Sequence, residues 1–154
     1  MPSVKSQGSQ MYFVLTATTM ATMTCPTGIS GLGGAADQID VTCLDATSDK
    51  AFVRGLGNPG QVSVPFVMDP TSASHKELFT LMNSGNVINW LVALSDGTAQ
   101  PTVAASQFVA PTGRTSFKFD AYVSDINVDI ATNEVVRGTL TLQRAGAVTP
   151  TWKV

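Results

Sequence analysis

The side chains with chemistry to offer are few. His75 is the one histidine in 154 residues. A Ser-His-Asp relay needs such an imidazole oriented by a carboxylate beside a nucleophile. Here it lies in Ser74-His75-Lys76-Glu77, a capping-box pattern, which predicts a solvated ring in the first turn of a helix. Gly31-Leu32-Gly33-Gly34 lacks the lysine and Ser/Thr with which a P-loop holds phosphate. Asp125-Ile126-Asn127-Val128-Asp129 starts like a calcium loop, but Ile130 stands where the turn needs glycine and Val136 where the bidentate glutamate belongs. Glu77 and Glu134 read as a cap and a turn residue. Cys25 and Cys43 form no Cys-x-x-Cys pair and no Cys/His cluster. Cys43 shares a face with Ile39 and Val41, which predicts a reduced core cysteine; a Cys25–Cys43 bridge stays open. The expectation is a chain with no catalytic residue, no cofactor and no metal, hence no enzyme.

Composition agrees. The length fits one domain, and the formal net charge is −2 with 13% charged residues. No basic run exists to grip nucleic acid phosphates, and a charge this small opposes self-association weakly. Thr, Ser, Ala, Val and Gly favour strands and turns over helices. MPSVKSQGSQ carries no apolar signal core, and the Tyr12–Thr24 run is too rich in threonine to span a membrane, so synthesis in the cytosol without membrane insertion is expected.

The pattern that must organise such a chain is Thr115–Arg144. Phe117, Phe119, Ala121 and Val123 alternate with polar neighbours, as in a half-buried strand. After Ser124-Asp125 the parity flips to Ile126, Val128 and Ile130, which predicts a β-bulge there. Ala131-Thr132-Asn133 supplies a turn. Val136, Gly138, Leu140 and Leu142 then form the inward face of a return strand. Upstream, residues 1–10 read as a flexible arm, residues 11–146 as the domain and 147–154 as a short irregular tail. Met11–Thr24 is a long strand or bent pair. Ile39, Val41 and Cys43 form one face of a short strand, and Asp45–Gly60 a loop of about sixteen residues. Val62, Val64, Phe66 and Met68 make an edge strand, because Pro65 lacks an N–H. One helix is expected at about residues 74–84, with Leu78, Leu81 and Met82 inward and Asn83-Ser84-Gly85 as its stop. Val87–Leu94 reads as a strand covered on both faces, and Ser95–Pro111 as loop with a short strand at Gln107–Val109. The fold class is mainly β, an antiparallel β-sandwich or barrel with a single flanking helix.

The run Tyr122-Val-Ser-Asp-Ile through Thr132-Asn-Glu-Val-Val-Arg-Gly-Thr-Leu-Thr-Leu resembles the final hairpin of lambda-like phage tail tube proteins. Gln38-Ile39-Asp40-Val41-Thr42, the glycine-rich Gly55–Gly60, the helix and Ser95-Asp96-Gly97 fall in the family's order, over roughly Ile39 to Gly146. The chain departs by ending at Val154, with no appended immunoglobulin-like domain, which implies a bare tube. The resemblance implies a structural virion protein of the tail, assembled in the host cytoplasm. Six copies would form a ring and rings would stack, with DNA passing through unread. Its partners would be its own copies, a tape-measure protein, tail tip or baseplate proteins and a tail terminator.

On that basis two surfaces are expected. Lys50, Phe52, Val53, Arg54 and Leu56, apolar groups with two cations on a mobile loop, would make contacts between copies and rings. Asp120, Asp125, Asn127 and Asp129 would face the bore, where carboxylates repel phosphates and let DNA slide. Three alternatives stay in view. One is a tube protein of the haemolysin-coregulated type from type VI secretion, another a monomeric β-sandwich binding module, and the third a hydrolase. The module would need an aromatic platform that Trp90, Trp152 and two tyrosines do not supply.

Overall fold

The computed structural model describes residues 2–154. Among these, eleven strands and one helix follow in chain order: β1 (Gln10–Val14), β2 (Met20–Thr22), β3 (Ala36–Asp40), β4 (Phe52–Gly57), β5 (Gln61–Val67), α1 (Ala73–Ser84), β6 (Ile88–Ala93), β7 (Thr102–Ala104), β8 (Gln107–Val109), β9 (Ser116–Asp129), β10 (Arg137–Arg144) and β11 (Thr149–Thr151). Seven strands form one antiparallel sheet in the order β2-β1-β6-β9-β10-β5, with β11 beside the start of β9. The stretch after β2 bridges the far edge, where Ser30 and Ser63 exchange backbone hydrogen bonds at 3.0 Å and the Thr27 N–H donates to the Pro65 carbonyl at 2.8 Å. One segment therefore touches both ends of the strand order, and the sheet wraps round its core. Closure of this kind removes sheet edges.

The long hairpin follows its pattern as far as Ile126; Val128 and Ile130, expected on the same inward face, lie beyond the core and are exposed. On β9, Phe119, Ala121 and Val123 are buried, and then Ile126. Thr141 pairs with Asp125 and Leu142 with Val123, leaving Ser124 as the extra residue of the expected bulge. Gly138, Leu140 and Leu142 of β10 are buried, and Arg144 follows them inward on the same parity. β5 buries Val62, Val64 and Phe66 and keeps Pro65 exposed. The N–H groups of Ser63 and Val67 point to the outer edge, so the donor Pro65 lacks is an edge donor, not one facing β10. β6 is buried from Asn89 to Ala93. Trp90, Phe13, Phe119 and Leu78 of α1 share one cluster, while Tyr12, Leu91 and Phe108 form a second on the opposite face under the β7–β8 ribbon.

Several expectations are corrected. The Asp45–Gly60 stretch is not all loop: β4 pairs with β3 as a separate two-stranded ribbon. Ile39 and Val41 are about half exposed, and Cys43 is an exposed free thiol, as is Cys25. Their face lies at the surface, outside both core clusters of the described residues. α1 starts earlier than Ser74, with Ser72 at its N-cap and no side-chain cap bond. The Ser74 hydroxyl instead lies 3.0 Å from Thr24 Oγ1 and 2.8 Å from Ser72 Oγ, so no capping box forms. His75 is buried, not solvated: its Nδ1 accepts from the Asp69 N–H at 3.0 Å and its Nε2 reaches the Thr24 carbonyl at 2.7 Å. That pairing makes Nε2 the protonated nitrogen and the ring a pin between α1 and the chain leaving β2. The helix stop is as expected, with Gly85 left-handed and its N–H on the Leu81 carbonyl. β7 and β11 were not foreseen, and β11 gives regular structure to part of the tail.

Candidate assembly surfaces

The β3–β4 ribbon carries the expected contact residues. Hairpin geometry comes from Ile39 facing Val53 and Asp40 facing Phe52, with the Val41 N–H on the Ala51 carbonyl at 2.9 Å and Thr42 Oγ1 accepting from the Ala51 N–H at 2.9 Å. Phe52, Val53 and Leu56 are exposed, Leu56 at 84%, and Lys50 and Arg54 are exposed beside them. Ile39, Val41 and Leu44 are exposed as well, with Ile39 beside Val53 on one face of the ribbon, where the alternation of the first two predicts a core face. An isolated two-stranded ribbon is at best marginally stable in water, and an exposed patch of large apolar groups marks an interaction surface. Among the described residues, β3 and β4 pair only with each other.

The second surface is the outer face of β9, β10 and β5. Across it Asp129 faces Arg137, Asn127 faces Thr139 and Asp125 faces Thr141, and β5 adds Ser63 and Pro65. Asn127 Nδ2 donates to Asp129 Oδ1 at 3.2 Å. This is a hydroxyl- and carboxylate-bearing face with one cation. Asp120 shares the face but not the neighbourhood. It sits beyond the bulge, nine residues from Asp129, and its Oδ1 accepts from Asn89 Nδ2 at 2.8 Å. The structure thus brings Asp125, Asn127 and Asp129 together and sets Asp120 apart.

A third feature escaped the sequence reading. Where β10 ends, Arg144 is 4% exposed and lines a cleft of about 320 Å³ with Arg54, Leu32, Gly34, Pro59 and Val148. One of its terminal nitrogens donates to the Gly33 carbonyl, and its Nε has no partner. The signal was present, since Arg144 continues the inward parity of Gly138, Leu140 and Leu142. Among the described residues no group of three or more His, Cys, Asp or Glu side chains is gathered to hold a metal ion.

A family model described as phage tail tube, TTP, lambda-like, matches residues 2–154. The chain belongs to the lambda-like phage tail tube family. A relative, structural protein 3 of Pseudomonas phage PAJU2, is 32% identical over 149 residues, covering 93% of this chain and 90% of its own. This tail tube chain also shares its fold with solved structures at low identity. One is from the tail of an empty gene transfer agent particle, refined with C6 symmetry (TM-score 0.70, 16% identity, 97% of this chain and 100% of that one). Another is from the SPP1 tail tube (TM-score 0.69, 11% identity, 99% and 81%). A third is from the sheath/tube terminator of an extracellular contractile injection system (TM-score 0.71, 13% identity, 99% of each). The tail tube protein is thus a structural component of the virion tail, of mainly antiparallel β structure with one helix.

Proposed function

We propose that copies of this tail tube protein form sixfold rings that stack into the conduit for DNA leaving the virion. The unpaired β3–β4 ribbon is the observation that carries this reading. Phe52 and Val53 are half exposed and Leu56 largely so, on a ribbon outside the main sheet, and a second copy is the partner always at hand. A repeat along the axis that does not close gives a filament. The sixfold symmetry is taken from the gene transfer agent tail, whose fold is the same.

In this arrangement Asp125, Asn127 and Asp129 face the bore, and Asp120 lies farther along the same strand. Carboxylates there repel phosphate, whereas lysine or arginine would neutralise it and hold the DNA. Lys50, Phe52, Val53, Arg54 and Leu56 join copies and rings. A tape-measure protein sets the tube's length, a tip or baseplate starts it and a terminator ends it, all in the host cytoplasm. Electron microscopy of the purified, concentrated protein tests the reading: sixfold rings or tubes are expected, and a uniform field of single copies overturns it. For the bore face, virions carrying Asp125→Lys with Asp129→Lys should release DNA more slowly. Unchanged ejection kinetics remove that assignment.

A further inference from the structure

Arg144 poses a problem that the single chain does not solve. Its guanidinium is always charged, it is 4% exposed, and its Nε lacks a partner. The walls of its cleft carry a second cation, Arg54, and no acid. A buried charge without a counter-charge is costly, and a buried polar atom without a partner calls for one from elsewhere. The cleft is also shaped for close approach. A Cβ on Gly34 would lie 2.8 Å from an Arg144 terminal nitrogen and 2.9 Å from the Asn58 carbonyl oxygen, so glycine leaves open the space beside the guanidinium. Leu32, Pro59 and Val148 add apolar wall.

The complement lies at the other end of the same strand. β10 runs from Arg137 to Arg144, a length of about 24 Å at the usual rise per residue. At its far end the turn before Arg137 exposes Ile130 at 81% and Val135 at 55%, with the exposed Glu134 between them in sequence. Arg137 stands opposite Asp129 in the ladder, and Glu134 is the acid that projects from the turn itself, beyond the last paired residues. One end of the hairpin is therefore an acid flanked by apolar groups. The other is a pair of arginines flanked by apolar groups.

We propose that the Glu134 carboxylate of one copy enters the Arg144–Arg54 cleft of the next copy along the tube axis. The inference rests on the tube reading and makes it specific. A head-to-tail repeat sets unlike ends against each other, and here the unlike ends match in charge and in apolar flanks. Arg144 then gains the carboxylate that a guanidinium fork binds best, in a site already largely removed from water.

Cross-linking tests the contact. Gly146 also lines the cleft, and a Cβ there meets nothing within 4 Å, so Gly146→Cys should fold. With Cys25→Ser and Cys43→Ser as background, tubes of the Glu134→Cys, Gly146→Cys variant should give a ladder of linked copies under mild oxidation. The Glu134→Cys variant alone should give none. Separately, Glu134→Lys should raise the critical concentration for assembly about tenfold or more while leaving the urea midpoint of the single copy unchanged. Tubes that form without a ladder, or a critical concentration unmoved by Glu134→Lys, overturn this contact and leave the tube reading standing. A wild-type chain that never assembles takes both down together.

Discussion

The Arg114 guanidinium donates to the Gly8 carbonyl at 2.9 Å, joining positions 106 residues apart. The same side chain, 1% exposed, also reaches the carbonyls of Leu94 and Ala93 and the Gln10 amide oxygen. It thus fastens the chain before β1 to the strand that follows the helix. Ser95 adds a hydroxyl bond to the Lys5 carbonyl.

Arg114→Ala should therefore lower stability by about 3 kcal/mol, the range for losing charge-assisted bonds and leaving buried carbonyls unmade. Arg114→Lys should recover little, because an ammonium cannot reproduce the planar fork. Urea unfolding gives the energy. Amide exchange at Ser9 and Gln10 should speed up more than exchange in β9, since the loss is local to that fastening.

Gly138 meets the far end of the Phe66 ring so closely that a Cβ there would lie 2.6 Å from Cζ and 3.0 Å from a Cε atom. Both residues belong to the buried ladder of β5 and β10, where they stand in register. Gly138→Ala should destabilise by about 1–3 kcal/mol, as overpacking does. Phe66→Leu should cost less in the Gly138→Ala background than alone. A double-mutant cycle by chemical denaturation reads the coupling, and simple additivity contradicts the account.

What could be read from the sequence follows from where each face finds its cover. The β9–β10 hairpin, its bulge at Ser124 and the edge position of β5 are legible because Phe119, Ala121, Val123, Ile126, Leu140 and Leu142 are buried within the chain, where a period of two and a parity flip have one meaning; Val128 and Ile130 continue the pattern past the core and are exposed. β3 and β4 misled for the opposite reason. Ile39, Val41 and Phe52 have core-like side chains but lie exposed on a ribbon, and a pattern cannot say whose core it joins. His75 and Ser74 misled because a local capping signature lost to Thr24, 50 and 51 residues away in the chain. β7 and β11, three residues each, are too short to show a period. Of the two expected surfaces, the run Asp125–Asp129 was visible as one polar face. The separation of Asp120 depended on Asn89 reaching across from β6.

Asp96 links the turn after β6 to the start of β9 and to the final residues. Its Oδ2 accepts from the Thr115 hydroxyl at 2.6 Å, its Oδ1 from the Thr115 N–H at 3.0 Å, and its carbonyl from Lys153 Nζ at 2.6 Å. The Thr115 hydroxyl bond is the main cause that holds its carboxyl below the ordinary value of 3.8; desolvation opposes it, and the Thr115 amide and the Lys153 charge assist. The folded chain therefore takes up this proton less readily than the unfolded chain. The stabilisation is fully present above the ordinary carboxylate pKa and is lost as pH falls through the lower folded value. Thr115→Val should reduce the difference in melting temperature between pH 6 and pH 3 relative to the parent protein. An unchanged difference contradicts the role given to this hydroxyl.

The ribbon offers the sharpest separation of folding from assembly. Phe52 and Val53 are each 52% exposed and belong to a sheet of two strands outside the main one. Phe52→Ser with Val53→Ser removes apolar surface that the single copy leaves half open, on a ribbon outside the main sheet, so the stability of the single copy should fall by only about 1 kcal/mol. Assembly should suffer far more, because groups that become fully covered between copies each contribute on the order of 2 kcal/mol. Sedimentation should find the variant as folded single copies at concentrations where the parent protein forms tubes. Wild-type assembly in the double variant would show that the ribbon lies outside every contact, and the surfaces at the ends of β10 would then have to hold the rings together alone.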